Sequence, residues 1–489
     1  MSESIGQSVR KAVIWRSGSQ IFAQVVAWAA TLAVVRILDP ADYGLFAMTQ
    51  VVLAFLSFLN GYGFASALIR EKEISQHRIR QAFGILILVN GAIALLQLGL
   101  APVAAAWYRQ EIVGDLLRMQ ALIYLATPFI ALPEVLLVRE MDFRRPAVVN
   151  IVATVVSATV SLTCALLGLG VWTLVFAPIA FFWTRAAGLM IAARFWIWPS
   201  FRFAGAGSLV NYGMLMLGSH FFWTIVTQAD VFIASRSVDA HSLGLYAEAL
   251  FLTTLVTSKF VPPLNEVAFP AYARMQDDPQ QMAAAFLKAV RLILLVTCPI
   301  YLGLAVTAPD AVRILLGPKW TGMAPLVSIL ALGMPAMTLH ILFAPAVNAA
   351  GLPQVTMRAS MLGAVVMPLA FVAGVTHGVE GLAWAWLIAF PVVPLFAWIQ
   401  CRKPLGLSGR GMARAILPAL GAAVAMAVPV WFLGQALAGL NEWARVAAQV
   451  ALGGFIYLAL LFLVARSTLD ELLALVIRRR PPELRPAVA

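Results

Sequence analysis

The chain of 489 residues has little charge, with Asp, Glu, Lys and Arg making up only 11% of it, whereas soluble domains carry about 25%. That excludes an ordinary water-soluble fold. Cysteine is nearly absent. Cys164, Cys298 and Cys401 lie in different segments without CxxC spacing, so neither a disulfide framework nor a zinc site is indicated. Histidine numbers five, and neither HExxH nor the phosphate loop GxxxxGK(S/T) occurs. Nucleotide hydrolysis through such a loop is excluded, and no Ser/His/Asp arrangement can be built from adjacent motifs, so an enzymatic role has no starting point. No inter-helical loop exceeds about 20 residues, too few for a folded domain outside a membrane.

What the chain has is hydrocarbon: 62% hydrophobic residues and a mean hydropathy of +0.89. Apolar runs long enough to cross a core of about 30 Å recur from Ser17 to Val464. Cutting at charged and Gly/Pro-rich breaks predicts an all-α polytopic membrane protein of about 14 spans. Six lie within 13–193, six within 208–399 and a final pair within 413–464. The net charge of +12 is spread over short loops, forming no basic stripe, which argues for membrane topology and against nucleic acid. Arg70, Lys72, Arg78, Arg80, Arg139, Arg144, Arg145, Arg194, Arg402, Lys403 and the tail Arg478-Arg479-Arg480 fall on one side by this count. Both termini are therefore expected in the cytoplasm. The first apolar run follows Arg10, Lys11 and Arg16 without a short leader pattern and reads as a retained helix.

Arg36, Asp39, Gly44, Leu45 and Ala47 return 200 residues later as Arg236, Asp239, Gly244, Leu245 and Ala247, and Gly18-Ser19 and Phe22 return as Gly218-Ser219 and Phe222. The chain is a duplication. Six crossings separate the copies, so the repeats enter from the same side and are related by a pseudo-two-fold axis along the membrane normal. The expected organisation is an N-terminal six-helix lobe over 1–200, a second over 201–405, an extra helix pair over 406–466 and a basic tail over 467–489. Parallel repeats point to transport, through a hydrated crevice between similar halves.

Polar groups mark the route. On the first span Arg16, Gln20, Gln24 and Thr31 fall within about 80° of arc; on the seventh His220, Thr224, Thr227 and Gln228 fall within about 100°, flanked by Asp230. Such groups also serve as plain hydrogen-bonding glue between membrane helices, and Arg16 is near enough to the interface to snorkel. Trp28, Trp183 and Trp223 are candidate sugar-stacking faces, though Trp is common in helix packing. On the eighth span Glu248, Lys259 and Glu266 lie within about 20° of one another, with Pro262-Pro263 expected to interrupt the helix between the last two. A charge near the bilayer centre costs about 2.5–3.5 kcal/mol, so Lys259 needs water, an anion or a salt bridge to Asp230 or Glu266. Arg185 and Arg291 lie in the inner halves of their spans, where snorkelling or an anionic head group would satisfy either.

Arg36-Ile-Leu-Asp39-Pro-Ala-Asp-Tyr-Gly44-Leu-Phe-Ala, Leu136-Leu-Val-Arg139-Glu-Met-Asp-Phe143-Arg, Gln228-Ala-Asp230, Gly244-Leu-Tyr246 and Phe269-Pro270-Ala271-Tyr-Ala-Arg274 together resemble, in order and over nearly the whole chain, the Wzx-type flippases of the multidrug/oligosaccharidyl-lipid/polysaccharide exporter superfamily. The resemblance implies alternating-access translocation of undecaprenyl-pyrophosphate-linked oligosaccharide across the bacterial inner membrane, serving surface polysaccharides such as O-antigen or exopolysaccharide. It also implies cationic residues for the pyrophosphate, a role Arg16, Lys259 and Arg291 could fill. Gln20, Gln24, Trp28, His220, Trp223, Thr224 and Gln228 would then face sugar. Asp230, Glu248 and Glu266 would couple or gate, with Asp230 or Glu266 binding H⁺ or Na⁺. A polysaccharide polymerase and glycosyltransferases are the implied partners, and no cofactor is implied. A cation-coupled small-molecule exporter of the same superfamily and a membrane glycan polymerase or glycosyltransferase are the alternatives. Lys259 argues against the first, short outer loops against the second.

Overall fold

The computed structural model describes residues 2–57, 75–201 and 217–464. Among the described residues there is no β-strand, as expected where hydrocarbon supplies no partner for backbone groups and each helix must satisfy its own. Helices α1 (Ser2–Ile37), α2 (Pro40–Ser57) and α3 (Gln76–Tyr108) are followed by three short ones, α4 (Glu111–Gln120), α5 (Leu122–Ala126) and α6 (Pro128–Arg139). Then come α7 (Arg144–Leu166), α8 (Trp172–Ala192), α9 (Leu217–Ala234), α10 (Ala240–Ala273) and α11 (Pro279–Leu316). A 3₁₀ turn, Pro318–Met323, leads into α12 (Ala324–Ala349), α13 (Pro353–Gly374), α14 (Gly378–Ile388), α15 (Val392–Cys401), α16 (Gly409–Ala436) and α17 (Glu442–Val464). Among the described residues, ten stretches are long and apolar enough to cross a membrane. The protein is a multi-pass, all-helical membrane protein.

Proline accounts for one break in each of two predicted spans. The fourth is divided into α4, α5 and α6, and Pro128 opens α6, while no proline stands at the α4–α5 break at Ala121. The twelfth is divided at Pro391 between α14 and α15. A proline ring removes one amide donor and crowds the carbonyl four residues back. The opposite holds in α10, which runs unbroken through Pro262, Pro263 and Pro270, so the expected interruption does not occur. The carbonyls of Ser258 and Lys259, four residues before the proline pair, are the ones left without their helical donors.

Two compact units can be distinguished. One comprises 1–248 with 315–320 and 368–382. Within it α7 packs along α8 and against α1, α3 along α4, and α9 against α2. Its buried clusters include Ala82, Phe83, Leu86, Ala131, Leu132 and Phe195, and Leu116, Val171 and Val175. The other comprises 249–314, 321–367 and 383–489. There α16 packs on α17, and the start of α17 is tied to the end of α11 by ion pairs, Arg445 with Asp310 and Arg313 with Glu442 at 3.0 Å. Further along, Tyr457 donates its hydroxyl to the Leu295 carbonyl at 2.7 Å.

Candidate functional site: the duplicated helix exits and the charged helix

The repeated motif builds the turn that leaves α1 and enters α2, and the turn that leaves α9 and enters α10. Each is fastened by an aspartate, but not at the same position of the repeat. Asp239 Oδ1 accepts from the Ser242 amide at 2.6 Å, satisfying one free N–H of α10. In the first copy Asp42 Oδ2 reaches back to the Asp39 amide at 3.1 Å, as the third residue of a capping box does.

The two copies meet at their glycines. A methyl added at Gly44 would overlap the Ala240 carbonyl and press on the Gly244 amide, and one added at Gly244 would overlap the Pro40 carbonyl and press on the Gly44 amide. Pro40 and Ala240 stand 200 residues apart, as do Gly44 and Gly244, so each half of the contact is the counterpart of the other. Backbones this close require residues without side chains at the crossing.

Each exit also reaches the end of the third long helix of the other repeat. Arg36 Nε donates to the Leu315 carbonyl at 3.1 Å. Lys319 Nζ donates to the Ile37 carbonyl at 3.1 Å and pairs with Asp39 at 2.8 Å. Trp320 Nε1 donates to the Val35 carbonyl at 2.9 Å, and its ring stands edge-on to Tyr43 at 5.2 Å. The matching partner of Arg236 is Trp107 at the end of α3, with the guanidinium 4.5 Å from the ring centre. Trp107 in turn stacks on Phe232 at 4.9 Å. The repeat is legible in the sequence; the contact between its copies is not.

Of the predicted site residues, Arg16 and His220 lie on α1 and α9, but their side chains fall outside the described residues. On α1, Gln20 and Trp28 are exposed and Gln24 half-buried. On α9, Trp223 and Gln228 are half-buried and Thr224 is buried. Thr227 spends its hydroxyl on its own helix, donating to the Trp223 carbonyl at 3.2 Å. Asp230 is wholly buried and accepts from the Tyr246 hydroxyl and the Val231 amide, each at 2.7 Å. Glu248, one turn of α10 below the crossing glycine, is 7% exposed and within electrostatic reach of Tyr43. Lys259 and Glu266 are exposed on α10, and Lys259 forms no ion pair among the described residues. Arg291 is half-buried on α11. Arg185 neither snorkels alone nor waits for a head group: it pairs with Glu134 of α6 at 2.6 Å. Trp183 is exposed. No cluster of three or more metal-ligating side chains occurs among the described residues.

Comparison with known proteins places this geometry among relatives. Residues 33–325 match a family described as polysaccharide biosynthesis proteins. The succinoglycan biosynthesis transport protein ExoT of Rhizobium meliloti (strain 1021) is 27% identical over 470 residues, covering 93% of this chain and 92% of its own. The lipopolysaccharide biosynthesis protein WzxC of Escherichia coli (strain K12) is 22% identical over 310 residues, 60% of each chain. In structure the chain is similar to the lipid II flippase MurJ in an inward closed conformation, with a TM-score of 0.74 at 14% identity, covering 93% of this chain and 100% of that one. It is also similar to an inward-facing multidrug resistance MATE family transporter, with a TM-score of 0.64 at 12% identity over 81% and 98% of the two chains. At such identities the likeness is one of fold.

Proposed function

The chain belongs to the polysaccharide biosynthesis protein family, and we propose that it is a flippase that carries a lipid-linked oligosaccharide from the cytoplasmic to the outer leaflet of the bacterial inner membrane. The similarity to a succinoglycan biosynthesis transport protein over nearly the full length of both chains carries this reading. Physical chemistry sets what such a carrier must supply. Unpaired sugar hydroxyls in hydrocarbon cost on the order of 1 kcal/mol or more each, so the head group needs a polar passage, while a polyprenyl tail can remain in lipid.

In this proposal Gln20, Gln24, Trp28, His220, Trp223, Thr224 and Gln228 face the sugars, and Lys259, with Arg16 and Arg291, receives the pyrophosphate of an undecaprenyl carrier. The absence of an ion pair at Lys259 among the described residues favours an anionic cargo over the cationic cargo of a small-molecule exporter. The chain would cross the membrane about 14 times, as lobes 1–200 and 201–405 with an added pair at 406–466. The reciprocal contact of Gly44 and Gly244 supports a two-fold relation between the repeats, about which they rock in alternating access. With the cytoplasm negative, export of an anion is downhill by about 2.3 kcal/mol per charge per 100 mV. Asp230, Glu248 or Glu266 would bind H⁺ or Na⁺ where a further coupling is used.

Reconstitution into vesicles with fluorescent lipid-linked oligosaccharide tests this directly. Wild type moves the label to the opposite leaflet, polymerises nothing, and loses most of that rate in Lys259→Ala. Normal flipping by Lys259→Ala at equal protein level would remove the anion role, and sugar polymerisation by the purified chain would overturn the assignment as a transporter.

A further inference from the structure

We propose that the foot of α7 and α8 holds one anionic phospholipid of the surrounding leaflet, at a site separate from the residues assigned to cargo. A cavity of about 450 Å³ is lined there by Asp142, Arg144, Arg145, Val148, Val149 and Ala192. Its charge is arranged at one edge. Asp142 Oδ1 accepts from the Arg144 and Arg145 amides at 3.1 Å each, which caps α7, and Asp142 Oδ2 lies 3.2 Å from Arg145 Nε. Arg145 Nη1 donates to the Ala192 carbonyl at the end of α8, at 3.3 Å. The guanidinium is thus fixed between two helices while its side chain stays 57% exposed. Arg144 is exposed beside it. One aspartate against two arginines leaves a net positive rim, and the two valines, a turn further along α7, give an apolar floor. Positive rim and apolar floor suit a phosphate diester attached to acyl chains.

An independent feature sets the depth. Shortly after α8 the chain runs without helix or strand from Phe195 to Ser200, pinned by Arg80, whose Nε donates to the Trp198 carbonyl at 2.9 Å and whose own carbonyl accepts from the Ser200 amide at 2.8 Å. Alternation along this segment buries Phe195 against Phe83 and turns Trp196 and Trp198 outward, 76% and 81% exposed. Tryptophan is enriched at the head-group level of membrane proteins, where its amphipathic ring suits the interface. The cavity opens at the same end of α8, so its arginines meet lipid phosphates.

The test uses the full chain, purified in detergent and titrated with short-chain phosphatidylglycerol or phosphatidylcholine, with retained lipid counted by native mass spectrometry. Wild type retains one phosphatidylglycerol about tenfold more tightly than phosphatidylcholine. Each arginine near a charged surface is worth about a fivefold change, so Arg144→Gln weakens retention about fivefold and the pair Arg144→Gln/Arg145→Gln about 25-fold. Arg109→Gln/Arg118→Gln, which removes equal charge at the other end of the helices, leaves it unchanged. Because Arg145→Gln also removes a helix–helix hydrogen bond, Val148→Glu provides the second probe: it places a negative charge at an exposed position and abolishes phosphatidylglycerol retention. Equal retention of the two lipids, an unchanged Arg144→Gln, an equal loss in the charge-matched control, or displacement of the lipid by stoichiometric undecaprenyl pyrophosphate would each overturn the proposal.

Discussion

Arg36–Ala47 and Arg236–Ala247 begin from the same arginine, aspartate, glycine, leucine and alanine and end in different chemistry. What both copies share most plainly serves backbone geometry: a glycine that lets two helices touch. The shared aspartate already diverges, for Asp239 caps α10 while Asp39 pairs with Lys319. What differs lies beside that contact. Phe46 and Met48 of the first copy stand where the second has Tyr246 and Glu248, and Ala30 where it has Asp230. Two buried carboxylates, one held by Tyr246, therefore belong to the second copy alone. The duplication kept the glycine on both sides of one crossing and placed the buried ionisable groups in the second copy alone.

The largest effect should come from the shared part. Gly44→Ala and Gly244→Ala each drive a methyl into a backbone carbonyl that cannot rotate away. Each should lower stability by about 3 kcal/mol, the upper end for overpacking, read as a fall in the detergent unfolding temperature. Because both relieve themselves by separating the same two helices, the double variant should lose clearly less than the sum. A neutral result in one copy alone would break the equivalence of the two exits.

Next comes the part that differs. Tyr246→Phe makes the second copy resemble the first and takes one donor from the buried Asp230 carboxylate. A hydrogen bond to a charged group is worth about 2 kcal/mol, so a similar loss is expected, with Tyr246→Phe/Asp230→Asn restoring part of it. If Tyr246→Phe is silent both in stability and in flipping, the asymmetry is decoration.

The class of fold could be read from the chain because a membrane leaves helices few options: apolar runs pointed to an all-helical, multi-pass membrane protein, and the constant offset marked a repeated motif. Contacts were less legible. A repeat reveals that two copies exist and is mute on whether they touch, so the Gly44–Gly244 crossing was invisible until the backbones were in place. Arg185 finds Glu134 from 51 residues away, a distance no local pattern spans. Lys259 and Glu266 share a helix face about 10 Å of rise apart, yet no ion pair joins them among the described residues. Thr227 fell on the polar stripe, yet its hydroxyl bonds to its own helix, a back-bond that periodicity does not distinguish from an open polar face.

The smallest effects separate how each exit is fastened to the other repeat. Lys319 holds Asp39 and the Ile37 carbonyl through an exposed ammonium, whereas Arg236 lies over the face of Trp107. An exposed ion pair is worth about 0.2–1 kcal/mol and is screened by salt; a cation over an exposed ring is worth about 0.5–1 kcal/mol. Lys319→Ala and Arg236→Ala should therefore cost similar small amounts in dilute buffer. Only the Lys319→Ala deficit should shrink when unfolding is measured at about 1 M salt, where the screening length falls to about 3 Å. Equal salt responses would mean that the two fastenings, so different in chemistry, contribute through the same packing.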